Sequence, residues 1–250
     1  MNSKLSRFLS FLFVKDYNCI VCGRELPRPS RYLTCNDCYV KMEIVDDRFC
    51  LKCGRKLHGE EDYCLDCQNN EMRFDRAFSP VVYAGAAANL VMNLKFHNMR
   101  YLAEPMAAYM TDRFLKEGVA ADVVMPVPLH PKRKKERGYN QSELLAKEIA
   151  KMLGLSLLTD AAERVKDTLP STKLEGGRKA REENIRNAFV IKNKEAVKNK
   201  TVLVVDDVLT TGATASELSH ALKKSGAAKA YVLTFASTRE RAPVERPQIN

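Results

Sequence analysis

Along the chain, short unbroken apolar runs alternate with longer stretches whose apolar positions return every three or four residues. Val202–Val205 is continuous and mostly β-branched, the pattern of a strand buried on both faces of a parallel sheet. Asp122–Met125 and Lys229–Ala236 read as further strands. Helical patterns cover roughly 85–95 and 101–117, then Ser142–Leu153 before Gly154, and Ala215–Ser225 before Gly226. The alternation predicts an α/β body. Near the start, Phe8–Val14 is too short to span a bilayer, and Lys15-Asp16-Tyr17-Asn18 follows in place of a small-residue cleavage site. The expectation is a short helix docked on the body, with no secretory signal and no membrane span.

The cysteines divide the chain differently. All eight fall between positions 19 and 67, as four CxxC pairs: Cys19/Cys22, Cys35/Cys38, Cys50/Cys53 and Cys64/Cys67. The segment repeats itself, because Cys19-Ile-Val-Cys22-Gly23-Arg24-Glu25-Leu26 is echoed by Cys50-Leu-Lys-Cys53-Gly54-Arg55-Lys56-Leu57. Glycine after the second cysteine suits a tight knuckle turn at positive φ. Two such pairs give a tetrahedral four-thiolate site, so the spacing predicts two zinc ions. Disulfides would need an oxidising compartment, and a redox CxxC would be expected once, not four times. Sequential pairing follows the repeat, and cross-braced pairing is the alternative. A metal of this kind is by default structural, with protein contact as the sharper role. The division expected is a zinc-ribbon module over 1–75 and a larger domain over 76–250.

Charge follows the same division. Of 41 Lys/Arg and 31 Asp/Glu, residues 1–75 hold 12 of each, so the excess of +10 lies in the second part. An anionic partner, either nucleic acid or a polyphosphate, fits that asymmetry. A hydrophobic share of 45% and a charged share of 29% exclude a disordered or membrane class.

Candidate chemistry concentrates after the Val202–Val205 run. Asp206 and Asp207 are followed by Val208, Leu209, Thr210, Thr211, Gly212, Ala213 and Thr214, then by helix. Ligands of open α/β sheets sit at the carboxyl ends of strands. There a loop of hydroxyls and backbone N–H groups at a helix N-terminus cradles phosphate. The carboxylates can accept hydrogen bonds from ribose hydroxyls or reach a magnesium ion that those hydroxyls share. Upstream, Lys132, Arg133, Lys134, Lys135 and Arg137 place five cations in six residues, followed by Gly138 and Tyr139. They suit a pyrophosphate or a nucleic-acid backbone, with Tyr139 stacking on a base, against the plainer reading of a solvated loop. Arg164–Phe189, with Lys173, Gly176-Gly177-Arg178, Arg181, Asn184 and Arg186, reads as a mobile loop. Lys95 and Arg100 could face the same pocket, and His97 reads as a surface residue.

Asp206–Thr214 resembles the phosphoribosyl-pyrophosphate signature of type I phosphoribosyltransferases. Over nearly its full length the chain resembles the ComF (ComFC-type) family. The likeness rests on the double CxxC module, Leu94-Lys95-Phe96, Pro126-Val-Pro-Leu129 and Arg137-Gly-Tyr-Asn-Gln141. It continues through Arg181-Glu-Glu-Asn184, Ala188-Phe189 and the Val205–Thr214 stretch. Ser171 stands where the family usually has glutamine. The resemblance implies an α/β, type I phosphoribosyltransferase-like fold with an open, mainly parallel sheet. It implies phosphoribosyl pyrophosphate held with magnesium by Asp206, Asp207, Leu209–Thr214, Lys95, Leu129 and Arg133, with the two aspartates as the catalytic pair should transfer occur. It further implies a cytoplasmic protein, peripheral at the inner face of the membrane, that works in DNA uptake. Its partners would be single-stranded DNA, an uptake helicase and an inner-membrane channel. An active transferase with an unnamed acceptor and a zinc-ribbon adaptor are the competing functions.

Overall fold

The computed structural model describes residues 17–28, 30–169 and 176–240. Phe8–Val14, Ser171 and Lys173 lie outside them. The chain opens with two zinc-ribbon knuckle pairs that include two short helices, α1 (Asn36–Tyr39) and α2 (Leu65–Asn69). The body follows with β1 (Arg76–Phe78), β2 (Val81–Val82), α3 (Gly85–Phe96), a 3-10 turn at Arg100–Leu102, and α4 (Ala103–Lys116). Next come β3 (Val123–Pro126), α5 (Pro131–Arg137), α6 (Gln141–Leu153) and β4 (Ser156–Leu157). The remainder is β5 (Ala162–Arg164), α7 (Gly177–Ile185), β6 (Phe189–Ile191), β7 (Thr201–Leu209), α8 (Ala213–Lys224) and β8 (Lys229–Ser237).

The main sheet runs β1-β8-β7-β3-β4, with β2 also on β8, and every pairing in it is parallel. A parallel sheet needs both faces covered. Odd-numbered residues of the central strands, Leu203, Val205, Leu233 and Phe235, pack against α3, α4 and α6. Even-numbered residues, Val202, Val204, Ala230 and Val232, pack on the other face against Leu218 and Leu222 of α8. The antiparallel pair β5-β6 adds Ala162, Phe189 and Ile191 to that second core.

The ribbons take opposite sides of the sheet. Ile20, Val21, Tyr32 and Met42 of the first join the α4 face, where the Tyr32 ring stacks on Tyr109 at 4.4 Å and Arg31 donates to Asp112 at 2.8 Å. In the second, Cys50, Cys53, Leu57 and Cys64 lie in the α8-side core itself, followed by Met72 and Phe74.

Three expectations about elements are corrected. The strand read as Val202–Val205 continues through both aspartates to Leu209, because Asp206, Val208 and Leu209 keep parallel partners on β8. The basic stretch is a helix, α5, not a loop: Pro131 opens it and Gly138, at φ +80°, closes it. Within the segment read as a mobile loop over 164–189, Gly177–Ile185 is the helix α7, while Arg164 ends β5 and Phe189 begins β6.

Candidate sugar-phosphate site

The site forms where β7 meets α8. Gly212 stands at the N-cap of α8 with φ +80°, a left-handed conformation strained for any residue with a Cβ. A side chain there would also press on Met72 Sδ at 3.3 Å and Phe74 at 3.5 Å. The turn places Thr210–Thr214 at the mouth of a cleft and opens the N-terminus of α8 toward it. The two adjacent acids take different partners. The Asp207 carboxylate, nearly buried, faces the Lys95 ammonium from α3 at 2.5 Å. Asp206 accepts from the Ser142 hydroxyl of α6 at 2.7 Å and from the Asp207 amide at 2.9 Å.

Burial pushes the Asp206 carboxyl up to about 7, with the neighbouring Asp207 charge adding to the shift. Lys95 and the Ser142 hydroxyl oppose it without cancelling it. This acid is held where its charge is costly, the condition under which a hydroxyl donor or a cation is welcome. Against the two acids, the same cleft is lined by five cations: Lys95, Arg133, Arg137, Arg164 and Arg181. Burial also lowers Arg137 and Arg164 from the ordinary arginine value, yet both stay charged. Such a cleft suits an anion of several charges with a polyhydroxyl part facing the acids.

Every residue expected on the sugar-phosphate ligand lines this one cleft: Lys95, Leu129, Arg133, Asp206, Asp207 and Leu209–Thr214. The basic stretch divides. Arg133 and Arg137, one helical turn apart, face the cleft, while Lys132, Lys134 and Lys135 are exposed on α5. Tyr139 is not available to stack on a base. Its ring is 7% exposed, its hydroxyl donates to the Leu94 carbonyl, and the Arg100 guanidinium covers it at 4.5 Å. Arg100 is not among the residues lining the cleft, contrary to the expectation that it faces the same pocket as Lys95. His97 is exposed, as expected. Sequence reasoning missed Ser142, Arg164 and Thr234 as lining residues. Ser142 had a signal, since it sits in the first turn of a helix capped by Asn140 behind a strand end. Arg164 had none.

The cysteines gather in sequence order, Cys19/22/35/38 and Cys50/53/64/67, each set with its sulfurs within 4.8 Å of one another. Cys22–Cys35 and Cys53–Cys64 stand 3.8 and 3.6 Å apart, far from a disulfide and close to the roughly 3.8 Å edge of a tetrahedron with Zn–S near 2.3 Å. At Cys19, burial raises the thiol, but N–H donors from Cys35, Cys22 and Val21 outweigh it and bring it down to about 6. Hydrogen bonding from Cys53 likewise drives Cys50 toward thiolate. The donor sets fit two zinc ions, each held by one ribbon.

A parallel sheet, a glycine-hinged loop at a strand-to-helix turn and paired thiolate ribbons define a phosphoribosyltransferase-type domain carrying a double zinc ribbon. Residues 8–68 match the family model of the double zinc ribbon domain, and residues 140–248 that of the phosphoribosyl transferase domain. The chain is 30% identical to Competence protein F of Haemophilus influenzae over 217 residues, which cover 84% of this chain and 93% of that one. DNA utilization protein YhgH of Salmonella typhi is 29% identical over 80% of this chain and 90% of its own. Competence protein ComFC of Streptococcus pneumoniae is 27% identical over 88% and 99%. The chain belongs to the ComF family. No helix among the described residues is long and apolar enough to cross a membrane.

Proposed function

We propose that the cleft binds phosphoribosyl pyrophosphate with magnesium, and that the protein serves DNA uptake, as the names of its competence and DNA-utilization relatives suggest. One observation carries the ligand: a phosphate-type loop, an acid pair and five cations meet in a single cleft at the carboxyl end of a parallel sheet. The 5′-phosphate takes the Thr210–Thr214 loop and the α8 N-terminus. The ribose hydroxyls take Asp206 and Asp207. The pyrophosphate takes Lys95, Arg133 and Arg137, whose guanidiniums offer paired donors. Magnesium, when bound, neutralises pyrophosphate charge, and Asp206 and Asp207 are the carboxylates able to reach it directly or through the ribose hydroxyls.

Lys132, Lys134 and Lys135 on the outer face of α5 provide the contact for a single-stranded DNA backbone. The uptake helicase and channel belong to the same reading as partners at the inner face of the membrane.

Calorimetric titration of the zinc-loaded protein with phosphoribosyl pyrophosphate and magnesium tests the central claim. Saturable one-to-one binding is expected, and its absence refutes the ligand. Pyrophosphate release with a panel of nucleobases separates a transferase from a binding protein, since only the former needs an acceptor.

A further inference from the structure

The two ribbons are sequence repeats, so each serves as a control for the other. Cys19 N donates to the Arg24 carbonyl at 2.8 Å, and Cys50 N donates to Arg55 at 2.8 Å. Gly23 N and Gly54 N close the same turn on Cys19 and Cys50, both at 2.8 Å. In each ribbon the arginine after that glycine reaches the aspartate inside the following CxxC: Arg24 to Asp37 at 2.8 Å, Arg55 to Asp66 at 2.7 Å. Local geometry is thus nearly identical.

The surroundings are not. The Arg24 side chain is 66% exposed and Asp37 61%, whereas Arg55 is 2% exposed and Asp66 14%. A Cβ on Gly23 would meet nothing within 4 Å, while one on Gly54 would lie 2.3 Å from the Ala77 carbonyl oxygen of β1. The second knuckle is therefore pressed against the sheet, and the Ala77 amide donates to Lys52 at 2.9 Å. That places the second guanidinium nitrogen of Arg55 on the backbone carbonyl of Thr210, the first residue of the phosphate loop.

The contact has a definite consequence for the site. A loop that turns its N–H groups toward a ligand must turn carbonyls away from it, and each buried carbonyl needs a donor behind the loop. We infer that Arg55 is a positioning residue of the sugar-phosphate site: it links the second zinc ribbon to the Thr210 carbonyl and sets the direction in which the loop presents its amides. Arg55 does not touch the ligand. Asp66, inside the Cys64/Cys67 pair, holds its other arm at 2.7 Å. The second ribbon is in this sense part of the binding site, and the first is not. The inference rests on the sugar-phosphate reading of the cleft.

The test uses the full zinc-loaded chain with three variants, Arg55→Met, Arg55→Lys and Arg24→Met. The probes are ribose 5-phosphate and pyrophosphate, each with magnesium. Arg55→Met is expected to weaken ribose 5-phosphate by roughly tenfold or more, the usual cost of removing a residue that orients a binding group. Pyrophosphate, which meets Lys95, Arg133 and Arg137, should keep its affinity. Amide hydrogen exchange over 210–214 in the ligand-free variant should be faster than in wild type, with zinc content still two per chain. Arg24→Met should change none of these. Arg55→Lys, which keeps the charge but cannot fork between Asp66 and Thr210, should fall between and supplies the readout should Arg55→Met fold poorly.

Equal ribose 5-phosphate affinity and equal loop exchange in wild type and Arg55→Met would overturn the inference. So would a parallel loss of both probes, since that marks general damage and not a misdirected loop. Failure of wild type to bind ribose 5-phosphate would instead sink the sugar-phosphate reading, and the exchange comparison would still decide whether Arg55 holds the loop.

Discussion

Asp206 is the residue whose environment departs furthest from its ordinary one at the proposed site. Its folded value of about 7 lies above the usual 3.8, with burial the leading cause and Asp207 the second. A raised carboxyl favours the fold when protonated. Its contribution is fully present below about pH 4 and is lost as pH rises through 7. Between pH 4 and 7 the urea midpoint of the ligand-free wild type should therefore fall relative to that of Asp206→Asn, which has no carboxyl to titrate at this position. A variant that keeps the wild-type slope would place the effect elsewhere. With ligand, the signs change: Asp206→Asn and Asp207→Asn should each weaken phosphoribosyl pyrophosphate by about 10- to 100-fold, the worth of a hydrogen bond to a charged group, as read by calorimetry. These acids were legible because two adjacent carboxylates before a Thr-Thr-Gly loop have few other uses. Tyr139 was misread because sequence gives a ring's identity and not the side it faces. Its neighbour Arg100, 39 positions earlier, covers it, and nothing local announces that.

At the scale of one element, α5 shows how a charge run becomes two surfaces. A helical turn brings positions i and i+4 to the same side, so Arg133 and Arg137 enter the cleft together while Lys132, Lys134 and Lys135 remain outside. Lys134 is held by Glu143 of α6 at 3.0 Å and Lys132 stands 3.6 Å from Asp167, both on exposed ground where such pairs are weak. The two sets should separate in experiment. Replacing the three lysines with alanine should lower the salt slope of single-stranded DNA affinity by about two, at roughly 0.7 per phosphate contact, and leave phosphoribosyl pyrophosphate affinity unchanged. Replacing Arg133 and Arg137 should do the reverse for the small ligand. An unchanged slope in the lysine variant would move any DNA path off α5. The helix itself was legible, since Pro131 and Gly138 bracket it as a first-turn proline and a left-handed cap. The density of charge drew attention away from those brackets. The longer helices and the strands β3 and β8 were read to within two residues because their apolar periodicity is strong, whereas β7 was cut four residues short at its two aspartates, and β1 and β2, three and two residues long, leave no period to find.

For the molecule as a whole, the question is why two copies of one metal module behave differently. Both were readable as a repeat, and the sequential grouping of their cysteines follows from it. What sequence could not give is the sheet edge between them, which puts one ribbon on each face. The first ribbon forms a small cluster of its own around Cys19, Leu26 and Cys38 and touches the body through Tyr32, Arg31 and a few apolar side chains. The second has Cys50, Cys53 and Cys64 inside the core that also holds Leu218 of α8 and Val204 of β7. Loss of metal from the two should therefore propagate differently. A Cys50→Ser variant removes a ligand from the main core and should destabilise the α/β body by on the order of 3 kcal/mol, since loss of a metal site is among the large single-residue effects. For a chain of this size that lowers the main thermal transition by roughly 6–12 °C. Cys19→Ser, the matching position of the repeat, should loosen the first ribbon alone and leave the main transition within a few degrees of wild type. Calorimetry of both variants, with zinc content measured alongside, checks the contrast. Equal shifts would mean that the cores are not energetically distinct, and the second ribbon would then lose its standing as part of the body's folding unit.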